Sequence, residues 1–95
     1  MPTYDLHFLP SARKEWDKLG KSVRTQFKRK LSERLRAPVV PSARLHGMPD
    51  CYKIKLRGAG YRLVYQVDGA QVTVVVIAVG KRERNAVYKA AAGRV

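Results

Sequence analysis

The chain is 95 residues long and carries 20 Lys and Arg against 7 Asp and Glu, a formal net charge of +13. With 45% apolar residues it supports one modest core, which excludes a disordered chain and predicts a single domain over residues 1–95. No apolar run approaches the roughly 20 residues of a membrane-spanning helix. The lone cysteine, Cys51, excludes an internal disulfide and a multi-cysteine zinc site.

Taken in chain order, Tyr4, Leu6 and Phe8 alternate with Asp5 and His7, the period of a short strand. MPTYDLHF has no basic stretch followed by an apolar one, so nothing marks the chain for export and the cytoplasm is expected. Pro10 suits the first turn of a helix in which Ala12, Trp16 and Leu19 share a face, with Gly20 as its expected C-terminal glycine. Ser22 is the expected cap of a second helix, along which Val23, Phe27, Leu31 and Leu35 are spaced four apart. Arg24, Lys28, Arg29 and Lys30 surround that stripe, as a solvated basic face or as a contact with nucleic acid or the ribosome. Ala37-Pro38 stops the helix, and Pro38 to Pro49 reads as a linker.

The next stretch, CYKIKLRGAGYRLVYQV, reads as a β-hairpin. Tyr52, Ile54 and Leu56 alternate with Lys53, Lys55 and Arg57; Tyr61, Leu63, Tyr65 and Val67 alternate with Arg62, Val64 and Gln66. Placing both apolar sets on one face pairs Ile54 with Leu63 and Lys55 with Arg62, because a slip of one residue would bury lysine. Gly58-Ala59 is then a two-residue type II′ turn. Asp68-Gly69 reads as a second tight turn, pairing Tyr65 with Val72 and Leu63 with Val74. The strand that follows is apolar on both faces, Val72, Val74 and Val76 against Val75, Ile77 and Val79, so it belongs mid-sheet or beneath a partner. Gly80 closes it, and KRER opens a tail whose Val87, Tyr88 and alanines suggest a short helix. The fold class is α+β, in the order β-α-α-β-β-β-(α), with an antiparallel sheet packed by a helical hairpin.

The hairpin gathers Lys53, Lys55, Arg62 and Arg57 on one patch, which folding alone does not favour, and so marks a polyanion site. His7 and His46 stand apart, carboxylates near the patch are few, and no phosphate-binding glycine loop is present. Lys, Arg and Tyr suffice to cleave RNA, which carries its own 2′-OH nucleophile. Like-charged neighbours disfavour the protonated form of Lys55 and make it the best candidate base. Arginine stabilises the phosphorane and protonates only a strongly basic leaving oxygen. Against this stands a passive phosphate-contacting strand face. Tyr88 either stacks on a base or anchors the tail.

The segments KEWDKLGKSVR, LHGMPDCYKIKLRGAGYRLVYQV and VGKRERNAVY closely resemble the RelE toxins of bacterial toxin–antitoxin pairs, over essentially the whole chain. The resemblance implies a microbial-ribonuclease-type α+β fold and a ribosome-dependent endoribonuclease. Such an enzyme cuts mRNA in the A site, leaves a 2′,3′-cyclic phosphate and needs no metal or other cofactor. On the matching motifs the family's catalytic lysines fall on Lys53 and Lys55, its phosphate-stabilising arginine on Arg62, the proposed acid on Arg82 and the nucleotide-orienting tyrosine on Tyr88. Arg57, His46, Lys81 and Arg84 are then expected to bind RNA phosphates. His46 stands where the family's LRGMP segment has arginine, a departure that bears on phosphate affinity and pH dependence.

The implied partners are a RelB-like antitoxin, the ribosome with its mRNA, and operator DNA only through the antitoxin, with no membrane partner. A two-sided apolar strand and a strongly basic surface suit an extended acidic partner. The other readings are a non-catalytic basic nucleic-acid-binding module and an antitoxin-bound co-repressor.

Overall fold

The computed structural model describes residues 3–83 and 85–95. Strand β1 (Asp5–Phe8) leads into helices α1 (Pro10–Asp17) and α2 (Lys21–Arg36). A 3-10 turn at Pro41–Ala43 then precedes β2 (Cys51–Leu56), β3 (Tyr61–Asp68), β4 (Thr73–Lys81) and α3 (Ala86–Arg94). The sheet order is β1-β4-β3-β2. The α+β class and the element order expected from the sequence are present, but the sheet is mixed: β1 runs parallel to β4.

The helix ends differ from the expected ones. Leu9 is extended and Pro10 occupies the first turn, where a missing N–H costs nothing. The first helix ends at Asp17, with Lys18 and Leu19 closing it through N–H bonds to Glu15 and Trp16 carbonyls. Gly20 therefore opens α2 rather than ending α1, and Ser22 lies inside the helix. Both helices cover one face of the sheet. Trp16, Phe27 and Leu31 pack against Tyr52, Ile54, Leu63 and Tyr65, and Phe8, Trp16 and Phe27 form a run of tilted rings.

The β2–β3 register is the expected one, Ile54 opposite Leu63 and Lys55 opposite Arg62. The turn is not. Leu56 pairs with Tyr61 across a loop of Arg57 to Gly60, and the positive φ falls at Gly60 rather than Gly58. A longer loop of this kind keeps the same strand pairing, so the apolar pattern alone does not distinguish it from a two-residue turn.

The β3–β4 register departs further. Asp68 pairs with Thr73, Val67 with Val74 and Tyr65 with Val76, instead of the expected Tyr65–Val72 and Leu63–Val74. The Asp68 carboxylate accepts from the N–H groups of Ala70 and Gln71 at 3.1 and 3.2 Å, which rounds the chain into a wider loop. Val72 sits there exposed at φ 52, outside the strand. A β-bulge follows, because Val64 faces Ala78 while Tyr65 faces Val76. Ile77 and Ala78 consequently both turn toward α3, and Val79 returns to the α1/α2 side.

The apolar character of both faces of β4 is thereby explained: the strand lies between β1 and β3, with helices on both sides. On the α3 side a smaller core of Cys51, Val64, Ile77, Val87 and Ala91 forms. Cys51 is fully buried there, and burial first, then nearby Asp50, pushes its thiol pKa up, consistent with an inert packing residue.

Candidate active site

The α1/α2 hairpin takes Tyr52, Ile54 and Leu56, so strand alternation sends Lys53 and Lys55 to the opposite face. Lys55, Arg62 and Gly80 are neighbours across β2, β3 and β4 on that face. A Cβ added at Gly80 would lie 3.3 Å from Val87 Cγ2, so the missing side chain is what lets α3 settle beside the two cations.

Lys55, Arg57, Arg62 and Arg82 line one open cleft of about 280 Å³, together with Leu56, Gly60 and Tyr61. Arg82 arrives there by a backbone device. Its N–H donates to the Gly60 carbonyl at 2.7 Å, one step beyond the Tyr61–Lys81 pair, while the Gly60 N–H closes the loop onto Leu56 at 2.8 Å. Gly60 holds φ 69, a conformation that carries little cost for glycine and strains a residue with a Cβ.

The Lys55 ammonium is held below the usual lysine pKa. Lys53 is the main cause, followed by partial desolvation and by Arg62, Arg57 and Arg82. Each positive neighbour raises the free energy of the protonated form, and removal from water acts in the same direction. Arg62 itself lies over the Tyr88 ring, with its Cζ 5.1 Å from the centroid. That contact joins α3 to the cationic patch, and the Tyr88 hydroxyl is buried with no hydrogen-bond partner among the described residues.

The structure thus brings Lys53, Lys55, Arg57, Arg62, Arg82 and Tyr88 to one region. His46 does not line the cleft; it is exposed in a separate shallow pocket with Arg44, Met48 and Pro49. Lys81 is exposed beside Glu15 and Val79, next to the cleft but not lining it. Arg84 lies outside the described residues. Arg24, Lys28, Arg29 and Lys30 ride on α2, across the sheet from the Lys53 and Lys55 side chains. Lys28 edges a groove formed with Leu6, Phe8 and Trp16, and Arg24 reaches the Asp17 carbonyl at 3.4 Å. Sequence reasoning missed Gly60, Tyr61 and Gly80 as parts of the site. The glycine pair flanking Ala59 signals special backbone at Gly60, but nothing local marks Gly80.

A family model described as ParE toxin of type II toxin-antitoxin system, parDE, matches residues 6–86. The chain is 58% identical over 92 residues to the mRNA interferase toxin RelE of Escherichia coli strain K12, spanning 97% of each protein. It is equally similar to the mRNA interferase RelE of Shigella flexneri. A free-state E. coli RelE with two arginines substituted superposes with a TM-score of 0.91 at 54% identity, covering 99% of each chain. The toxin in the intact E. coli RelBE toxin–antitoxin complex gives 0.82 at 59% identity, covering 85% of this chain and 99% of that one. The family model bears the ParE label and the full-length relatives bear RelE; identity along nearly the whole chain places the protein on the RelE side. This chain belongs to the RelE toxins of type II toxin–antitoxin systems.

Proposed function

We propose that this chain is an mRNA endoribonuclease that cuts in the ribosomal A site, halts translation and is neutralised by a RelB-like antitoxin. The names of its relatives support the chemistry, and the RelBE complex supports the partner. The observation that carries the reading is the cleft itself: Lys55, with its lowered pKa, shares it with Arg57, Arg62 and Arg82.

The neutral Lys55 amine takes the 2′-OH proton, and the 2′-oxygen attacks the adjacent phosphorus. Lys53 and Arg62 stabilise the charge that builds on the phosphorane oxygens. The P–O5′ bond then breaks, leaving a 2′,3′-cyclic phosphate, and Arg82 delivers a proton to the strongly basic 5′-alkoxide. Tyr88 orients the nucleotide. Arg57, Lys81, Arg84 and His46 attract neighbouring phosphates, with His46 acting from its own pocket. Arg24, Lys28, Arg29 and Lys30 contact the ribosome. The reaction takes place in the cytoplasm within one domain over residues 1–95, and operator DNA is reached only through the antitoxin.

Primer extension on an mRNA, with and without programmed ribosomes, tests this directly. A cut within the A-site codon that requires ribosomes, abolished by Lys55→Ala or Arg82→Ala with ribosome binding retained, is expected. Cleavage of naked RNA, or undiminished cleavage by both variants, overturns the assignment.

A further inference from the structure

We propose that Glu15 and Arg94 form a clamp that positions Tyr88 against Arg62 at the margin of the cleft, although neither residue lines it. The inference rests on Tyr88 acting at the active site.

The clamp arises where the sheet loses a strand. The first strand pairs with β4 as far as Phe8 opposite Val76, and Leu9 donates to the Val76 carbonyl at 3.0 Å before the chain turns into α1. Beyond that point, the Ile77 carbonyl and the Val79 N–H of β4 find their partners in side chains. Arg94 Nη1 donates to Ile77 at 2.9 Å, and Glu15 Oε1 accepts from Val79 at 3.2 Å. The two side chains then grip each other: Arg94 Nη1 and Nη2 meet Glu15 Oε1 and Oε2 at 2.8 and 3.1 Å. Two parallel charge-assisted bonds fix orientation as well as distance. Helices on opposite faces of the sheet, α1 and α3, are thereby tied around its edge.

The third helix needs such a tie. It spans only Ala86–Arg94, has a glycine near its end, and follows Asn85 at φ 60 with no side-chain cap. Helices this short are marginal by themselves, and α3 buries only Val87 and Ala91. Tyr88 meets Arg62 near the other end of the same helix. The clamp holds one end of a short rigid rod, and the tyrosine is carried on the other. Arg94 lies about 9 Å along the axis from Tyr88, and its guanidinium is engaged by Glu15 and the Ile77 carbonyl.

The decisive experiment measures ribosome-dependent cleavage by Arg94→Met, Arg94→Lys and Glu15→Gln in the native and Tyr88→Ala backgrounds, alongside amide hydrogen exchange. Arg94→Met is expected to lower the maximal cleavage rate about tenfold with little change in half-saturating ribosome concentration, the cost of misplacing a contact group. Arg94→Lys should recover part of the loss. Glu15→Gln, which can still accept from Val79, should lose less than Arg94→Met. In the Tyr88→Ala background the Arg94 substitution should add nothing further. Full additivity, or an unchanged rate in Arg94→Met, overturns the clamp. If Tyr88→Ala alone leaves cleavage intact, the role of Tyr88 fails, and exchange decides the clamp separately. Faster exchange confined to the helix-bonded amides of residues 89–92 in Arg94→Met upholds it, and unchanged protection there overturns it.

Discussion

Arg34 and Tyr65 tie the helical hairpin to the strand that carries the lysines. The Tyr65 hydroxyl accepts from Arg34 Nη1 at 2.8 Å and donates to the Pro38 carbonyl at 2.7 Å; the same arginine nitrogen reaches the Lys53 carbonyl at 3.2 Å. Tyr65 is fully buried, and the guanidinium also lies 5.7 Å from its ring centroid. Burial, the largest influence, pushes its phenol pKa up and outweighs the bond from Arg34. One network thus secures α2, the chain after it and the backbone between the two lysines.

Tyr65→Phe keeps the ring and removes the oxygen, leaving the buried Pro38 carbonyl without its donor. A loss of about 1–3 kcal/mol is expected, the cost of leaving a buried polar group unpaired. It should show as a lower urea midpoint at unchanged m-value. A midpoint equal to that of the native protein would mean that the network contributes no net stability.

Lys55 makes the pH dependence specific. As the base it must be neutral, so the rate should rise with pH and level off below the range of an ordinary lysine. Lys53 is the main cause of the lowering, so residual activity in Lys53→Met should rise at higher pH than in the native protein. A limb that moves the other way, or stays fixed, would remove Lys55 from the role of base. The sign for stability is also set. A lysine whose folded pKa lies below its unfolded one binds fewer protons when folded, so this group's contribution to stability increases as pH rises between the two values.

Gly80 tests the packing beneath Tyr88. Gly80→Ala places a Cβ 3.3 Å from Val87 Cγ2, a contact relieved by a shift of a few tenths of an ångström. Gly80→Val forces larger displacement of α3, with an expected cost of about 1–3 kcal/mol. Thermal unfolding should rank native, alanine and valine in that order, with cleavage falling in parallel. An active, fully stable valine variant would contradict the observed seat of α3.

With a net charge of +13, association with programmed ribosomes should weaken steeply with salt. Arg57→Gln removes one cation from the cleft, and the slope of log affinity against log salt should flatten by roughly 0.7 to 0.9 if Arg57 meets one phosphate. An A-site codon with a 2′-deoxy sugar, which lacks the nucleophile, keeps the measurement free of cleavage. A slope identical to that of the native protein would exclude Arg57 from the phosphate contacts.

A strict hydrophobic period made an element readable from the residues alone. Alternation in residues 51–67 allows one way to bury the apolar set, so the Ile54–Leu63 and Lys55–Arg62 pairs were legible, and with them the cationic patch. The Val23, Phe27, Leu31 and Leu35 spacing likewise marked α2 and its buried face. Contacts between distant elements set what had no period. β4 is apolar on both faces and carries no period to set its register; the Asp68 loop and the bulge at Ile77 settle it through contacts on both sides. The parallel seat of β1, the bond from Arg82 to Gly60, Tyr88 beneath Arg62 and the Glu15–Arg94 clamp all join residues distant in the chain or set by loop geometry. Local propensity is blind to such contacts, because their free energy is realised only when the whole sheet brings the partners together.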